Sequence, residues 1–264
     1  MSGTPERLVT VEQDGDVLLI GVDRAKKRNA WNLQVIREVA RAYEQLADGH
    51  ARVGVVFGHG EHFSAGLDLA EVLPAVQEQG PDVLGGAGRF DPFGLWNDAV
   101  PKPVVLAVQG IAFTLSIELA LASDVVVAAD DVRFRQLEIG RGIMPFGGAT
   151  IRAPQQLGWG NAMRWLLTAE EFGAKEAHRI GLVQEVVPAG SHVERAVAIA
   201  RTIAEQAPLG VRGTLQSART AVRAGDREAA AEVRRLLPGL VASSDAAEGV
   251  QSFLERRQAR FTGS

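Results

Sequence analysis

The sequence predicts an α/β fold, and three observations carry that prediction. Four short β-prone runs, at 17–22, 53–58, 104–108 and 125–128, are separated by glycine-bearing turns and by segments with helical spacing of apolar residues. Strands and helices that alternate in this way build layered α/β architectures. Beyond Gly160 the chain reads as mostly helical apart from 182–187, and 264 residues suffice for one large domain with an appendage.

Taken in order, the polar turn Asp14-Gly15-Asp16 leads into Val17-Leu18-Leu19-Ile20-Gly21-Val22, a strand. Leu33, Ile36, Val39, Ala40, Tyr43, Leu46 and Ala47 then recur every three or four residues, the pattern of an amphipathic helix, with Asn32 at its N-cap. Val53-Gly54-Val55-Val56-Phe57-Gly58 reads as a buried strand and 67–76 as a short helix. The segment 79–102 holds Gly80, Gly85, Gly86, Gly88 and Gly94 and three prolines. It reads as a long loop carrying Phe90, Phe93 and Trp96, with two readings open: a functional loop or a disordered surface insertion. Pro103 opens the next strand, Gly110 turns it into a helix through 116–122, and Asp124 opens a further strand. The stretch 229–261, rich in Ala, Arg, Glu and Leu, completes the helical part. No internal repeat is present.

Composition narrows the function classes. There are 28 Lys+Arg against 32 Asp+Glu, a net charge of −4, with 46% hydrophobic and 23% charged residues. Such a balance excludes a disordered chain, a fibrous repeat and a basic nucleic-acid module. The chain has no cysteine, which removes disulfide scaffolds, thiolate zinc sites and cysteine nucleophiles. The most apolar stretch, 104–129, is interrupted by Gln109, Gly110, Glu118 and Asp124, so a membrane span is not expected. Residues 1–16 are polar and lack a signal pattern. The expectation is a soluble cytoplasmic protein without a membrane or nucleic-acid partner.

Few motifs carry chemistry. His50, His59, His62, His178 and His192 share no metal-ligand spacing, and no metal site is expected. Neither a Gly-x-Ser-x-Gly elbow nor a P-loop nor a dinucleotide fingerprint occurs. Two turns remain. Phe63-Ser64-Ala65-Gly66-Leu67-Asp68 and Gln109-Gly110-Ile111-Ala112-Phe113-Thr114 each follow a strand and precede a helix. Each is placed to present free backbone N–H groups, and two such donors aimed at one carbonyl oxygen make an oxyanion hole. Glu118 lies near the start of its helix, where a dipole-complementing role competes with a catalytic one. Glu138 lies between apolar residues, with a salt bridge to Arg135 or Arg141 as its plain alternative.

Read together, these segments resemble the enoyl-CoA hydratase/isomerase (crotonase) superfamily over almost the whole chain. Residues 24–32 resemble its basic first loop and Asn-Ala turn, 63–69 its first oxyanion turn, and 107–124 its second turn and helix. Residues 134–152 are similar to the acidic segment that follows. Ala174, Ala177 and Gly181-Leu182-Val183 are similar to the stretch before the C-terminal helices. Glu248-Gly249, Phe253 and Arg256-Arg257 resemble the tail.

The resemblance implies a ββα spiral core over 1–198 and a C-terminal helical region over 199–264 that forms a homotrimer or a dimer of trimers. It also implies that the N–H groups of Leu67 and Leu115 hold a thioester oxygen. Glu118 and Glu138, 20 residues apart (138 − 118), fall on the family's two carboxylate positions. By the same resemblance, Lys26 and Arg28 stand beside the adenosine phosphate of coenzyme A, and Ala30, Ala65 and Asp68 line that groove. Phe146 and Trp96 are assigned to the acyl pocket, and Phe261 to a cover over the coenzyme A site. No cofactor is expected, since coenzyme A belongs to the substrate.

Enoyl-CoA hydration is the expected activity, with enoyl-CoA isomerisation or another reaction of a thioester enolate as the alternative. Thr114-Leu115-Ser116 replaces the glycines of many members, and Pro145-Phe146 replaces Pro-Gly. Both changes imply a crowded acyl site and leave open a non-catalytic trimeric protein that binds CoA esters.

Overall fold

Strands that are apolar on both faces require packing on both faces, and this requirement shapes the fold. The structure, a computed structural model, describes residues 7–86 and 88–264. The polar start expected for residues 1–6 lies outside the described residues. The strands are β1 (Val9–Asp14), β2 (Val17–Val22), β3 (Val53–Gly58), β4 (Val104–Val108), β5 (Ile111–Phe113), β6 (Val125–Ala129), β7 (Arg133–Arg135), β8 (Phe172–Gly173) and β9 (Glu185–Val187). Six of them form the main sheet in the order β1-β2-β3-β4-β6-β9, antiparallel between β1 and β2 and parallel elsewhere. The first strand, β1, lies in a stretch whose polar residues conceal it. Four of its six residues are exposed, because it is an edge strand that buries chiefly Val9.

A second β layer makes the fold a spiral. The sheet β5-β7-β8 is continued by isolated parallel bridges between Ser64 and Ala112 and between Trp31 and Leu67. Each circuit of the chain therefore runs from a main-sheet strand to a short contact in the second layer and then to a helix. The helices closing the first three circuits are α1 (Leu33–Asp48), α2 (Leu69–Gln79) and α3 (Leu115–Ala122). Asn32 starts α1 as expected, its side chain accepting the Val35 N–H at 3.0 Å. Helix α3 is buried on all sides, the position of a helix that is apolar all round.

The main-sheet strands alternate between two cores. On one face Leu18, Ile20, Val56, Leu106 and Val108 pack with Trp31, Phe63 and Phe134. On the other, Val53, Val55, Val105, Ala107 and Val127 pack against Ala196, Ala200 and Ala204 of a later helix, α7 (His192–Ala204). Helix α7 runs unbroken through 198/199, so the expected division between core and helical region falls inside an element of the sheet's own packing. The remaining helices are α4 (Ala149–Leu157), α5 (Trp159–Thr168), α6 (Ala174–Arg179), α8 (Pro208–Ala224), α9 (Asp226–Val241) and α10 (Ser244–Glu255). None of the described helices is long and apolar enough to cross a membrane.

Of the two readings of 79–102, the structure supports order. After a 3-10 turn at Pro81–Gly85 the segment wraps around Asp91, which is 1% exposed. The Asp91 carboxylate accepts the N–H groups of Phe93, Leu95, Trp96 and Asn97 at 2.7–3.0 Å. Phe93 turns inward to meet Trp31, ring centroids 6.2 Å apart. Removing the carboxylate leaves those donors unpaired in a buried site, and hydrogen bonds to charged groups contribute about 1.5–3 kcal/mol each. Asp91→Ala is expected to lower unfolding free energy by about 3 kcal/mol, read as an earlier midpoint in urea. A midpoint unchanged from the parent chain contradicts this account of the loop.

Candidate active site

The ends of β2, β3 and β4 lie side by side, and so do the turns that follow them. Asn29 joins the first two. Its amide donates to the carbonyls of His59 and His62, both at 2.8 Å, while its Oδ1 accepts the Arg24 N–H and its carbonyl accepts the Ser64 hydroxyl at 2.7 Å. The Ala65 N–H donates to Arg28 O at 2.9 Å. Arg24 completes the join, its Nη1 donating to Ala30 O and pairing with Asp68 Oδ2 at 2.8 Å. The loop 24–30 and the turn 63–68 are therefore one corner held by hydrogen bonds and an ion pair, which brings Ala30, Ala65 and Asp68 together.

Backbone hydrogen bonds fasten this corner to the third turn. The Ser64 N–H donates to Ile111 O, the Phe113 N–H donates to Ser64 O, and the Phe63 N–H donates to Gln109 O, all within 2.9–3.0 Å. Gly66, at φ +106°, lies so close to Thr114 that a Cβ there would collide with the Thr114 hydroxyl. Among the described residues, no hydrogen bond of the fold uses the N–H of Leu67 or of Leu115. The parallel bridge to Trp31 engages Gly66 O and the Asp68 N–H, leaving the Leu67 N–H directed elsewhere. Leu115 is the first residue of α3, whose N–H has no intrahelical acceptor. Two free donors thus stand on two turns held in contact.

Thr114 is strained: φ +50° and ψ −108° suit glycine far better than a β-branched residue. Such conformations cost of order 1–3 kcal/mol and persist where surrounding bonds over-determine them. Here the Thr114 N–H donates to Arg135 O, and its carbonyl accepts from Ile117 and Glu118. The strain falls on Thr114, so Leu115 is free to be helical. The Leu115 side chain is 1% exposed and belongs to the core cluster.

Two carboxylates complete the site. Glu118, 2% exposed, is the sole charged residue of α3, and its Oε1 accepts the N–H groups of Gly147 at 2.7 Å and Ala149 at 3.2 Å. Gly147 must lack a side chain, because a Cβ there would strike the Glu118 carboxylate. Glu138, 7% exposed, accepts from the Gln136 amide at 3.1 Å, and its Oε2 is buried without a partner. The alternative ion pair to Arg135 does not form; Arg135 donates to Ala169 O instead.

Burial pushes the Glu118 carboxyl up to about 7, while the Ala149 and Gly147 N–H groups and Arg152 act the other way. Burial also pushes Glu138 up to about 7, and the negative charge of Glu118 adds to the rise. Both carboxyls also have contacts that favour the anion: Gly147, Ala149 and Arg152 at Glu118, and the Gln136 amide with the local backbone N–H groups at Glu138, whose Oε2 is left unpartnered.

Lys26, Lys27 and Arg28 are exposed on the corner, and none forms an ion pair with a described residue. Phe146 lines an apolar cavity of about 380 Å³ beside α2. Trp96 does not; it packs over Gly85 in the ordered loop. Phe261 lies at the opposite end of the sheet, its carbonyl accepting from Arg52 at the start of β3, so within one chain it does not cover the site. His59 and His62 bond to the Thr10 hydroxyl and to Glu61 O respectively. Sequence reasoning missed the supporting shell: Arg24, Gly147, Ala149 and Arg152. The Gly147-Gly148 pair before a helix was the one visible signal, since such a pair permits close backbone approach.

The model of the enoyl-CoA hydratase/isomerase family matches residues 12–264. A probable enoyl-CoA hydratase of Mycobacterium bovis is 33% identical over 258 residues, covering 96% of this chain and 97% of that protein. The 2,3-dehydroadipyl-CoA hydratase of Escherichia coli is 33% identical over 256 residues, covering 96% and 98%. Among solved structures, a probable enoyl-CoA hydratase/isomerase from Mycobacterium abscessus has 49% identity and a TM-score of 0.91, covering 97% of this chain and 99% of that one. The predicted fold class, a crotonase-like α/β core with a C-terminal helical region, is therefore the observed one.

Raised carboxyl values have a measurable consequence for stability. Glu138 binds its proton more tightly folded than unfolded, so its contribution is intact below about pH 4.5 and is lost as pH rises through about 7. Glu138→Gln removes that loss. The variant is expected to exceed the parent in unfolding free energy at pH 8 by on the order of 2 kcal/mol. The gain should fade towards zero by pH 4; paired urea titrations with no gain at pH 8 contradict the buried, uncompensated state of this group.

Proposed function

Given that the chain belongs to the enoyl-CoA hydratase/isomerase family, we propose that it is an enoyl-CoA hydratase, adding water across the 2,3 double bond of an enoyl-CoA thioester. The observation that carries this reading is the pairing of two free N–H donors, on turns hydrogen-bonded to each other, with two buried and mutually interacting carboxyl groups whose proton affinity burial raises. In the proposed mechanism the thioester oxygen takes the N–H groups of Leu67 and Leu115. Negative charge gathers on that oxygen as Cβ becomes electrophilic, and each preorganised donor contributes on the order of 10²–10³ in rate.

Glu118 orients the water and takes its proton as the oxygen bonds to Cβ. Glu138 delivers its own proton to Cα as the carbon–carbon π bond is lost. The pair holds one proton before and one after, so nothing but water is consumed. The two N–H contacts at Glu118 and the unpartnered Oε2 of Glu138 support this division of roles. Lys26 and Arg28, exposed beside Ala30, Ala65 and Asp68, would meet the phosphates of coenzyme A. Phe146 places an apolar ring one residue from Gly147, and this favours double-bond isomerisation as the second reading, since one carboxylate suffices to shuttle a proton between carbons.

An assembly is part of the proposal. Val222, Leu237, Val241, Phe253 and Leu254 on α8–α10 are each more than half exposed, which supports the expected homotrimer or dimer of trimers. Light scattering showing a monomer at micromolar concentration contradicts it.

Glu118→Gln and Glu138→Gln are each expected to reduce hydration of a 2-enoyl-CoA by roughly 10²–10⁴. Full activity in either variant would falsify the assignment, and exclusive conversion of 3-enoyl-CoA to 2-enoyl-CoA would select the isomerase reading. Because activity needs one proton on the pair, kcat/KM should pass through a maximum near pH 7. A chain with both Lys26→Ala and Arg28→Ala should show a KM for CoA esters raised roughly tenfold with kcat little changed. An unchanged KM removes the two cations from coenzyme A binding.

A further inference from the structure

Helix α2 carries Leu69, Val72, Leu73 and Val76 along one face, at helical spacing, yet only Val72 is fully buried. Val72 and Val76 pack on the core from that face, which also forms a wall of the 380 Å³ cavity. Ile143, Met144 and Phe146, from the loop after Glu138, form the facing wall. Every side chain that lines the cavity is apolar, and Met144 is 60% exposed at its rim. The cavity adjoins the reacting groups at two points. Leu69 stands two residues after the Leu67 donor, and Phe146 directly precedes Gly147, whose N–H holds Glu118.

We propose that this cavity receives the distal part of the acyl group and selects a hydrocarbon tail over one ending in a carboxylate or another charge. The inference rests on the reading of the site as an acyl-CoA site and adds the chemical class of the acyl group. Its physical basis is one-sided. A hydrocarbon tail covers Leu73 and Met144 and gains about fourfold in affinity per buried methylene. A terminal carboxylate meets no N–H, hydroxyl or cation in these walls and loses its water without replacement. The E. coli relative is named for a substrate with such a carboxylate, so membership of the family leaves the choice of tail open.

The test uses saturated thioesters, which bind without turnover, and the full chain in a calorimeter. Octanoyl-CoA is expected to bind at least about 50-fold more tightly than acetyl-CoA. Hexanoyl-CoA is expected to bind at least about tenfold more tightly than adipoyl-CoA, which matches it in length but ends in a carboxylate. Leu73→Asp and Met144→Asp, both at exposed positions and checked for folding by circular dichroism, should each lower the octanoyl-to-acetyl affinity ratio at least about tenfold.

Equal affinity for hexanoyl- and adipoyl-CoA overturns the proposal, and so does a ratio that neither variant changes. Hydration of 2-octenoyl-CoA on the same preparations separates the two readings. The expected affinity order without hydration removes the hydratase and keeps the tail site. Equal hydration of 2-octenoyl-CoA and an ω-carboxylated 2-enoyl-CoA keeps the hydratase and removes the tail site.

Discussion

Everything at the site depends on the backbone hydrogen bonds between the turn at Ser64 and the strand at Ile111–Phe113. They form because β3 and β4 are parallel neighbours that end at the same level, so the turns leaving them emerge side by side. Once Ser64 is bonded on both its N–H and its carbonyl to that strand, the peptides of Leu67 and Leu115 are fixed relative to each other. The strained backbone of Thr114 follows from the same constraint. The chain must leave the ladder at Phe113 and begin α3 two residues later, and the bonds on both sides of Thr114 hold it where a glycine would sit without cost.

The carboxylates show how a buried charge is arranged rather than avoided. A carboxyl group placed in an apolar helix has no solvent to stabilise its anion, and its proton affinity rises. The fold answers at Glu118 with two N–H donors from the start of α4 and leaves Glu138 with an unpartnered oxygen. Two chemically identical side chains thereby acquire different surroundings. Arg152 ties this arrangement to the rest of the molecule, because its Nη2 donates to the carbonyls of Phe93 and Gly94 in the loop that Asp91 organises. The ordered loop, the α4 helix and the Glu118 environment are therefore one mechanical unit.

The same segments also set what surrounds the reaction. The exposed cations at Lys26 and Arg28 stand on the corner that Asn29 clamps, and the apolar wall of α2 begins directly after the turn that carries the free Leu67 N–H. A polar, phosphate-ready edge and an apolar cavity thus flank the donors, an arrangement suited to a ligand with an anionic head and a hydrocarbon tail.

By itself, the sequence determined four of the six main-sheet strands, the first helix with its Asn32 cap, the two turns that carry the free N–H donors and the two glutamates, because apolar periodicity, capping and turn chemistry are local. It also carried the family, through many weak motifs in one order. Only the tertiary structure decided the rest. The contacts at Trp31, Ser64 and Leu67 that make the fold a spiral are single bridges, too short to leave a period. The edge strand β1 has one buried apolar residue at its start and little alternation to reveal it. The order of 79–102 comes from one buried carboxylate, Asp91, whose partners are backbone groups that no side-chain pattern betrays. That Phe261 reaches the Arg52 end of the sheet within one chain, and that Trp96 lies against Gly85, could not be read from resemblance along a chain, which says nothing of where a residue packs. The burial and hydrogen-bond surroundings that raise both Glu118 and Glu138 came only with the tertiary structure, since a pKa belongs to a residue's surroundings.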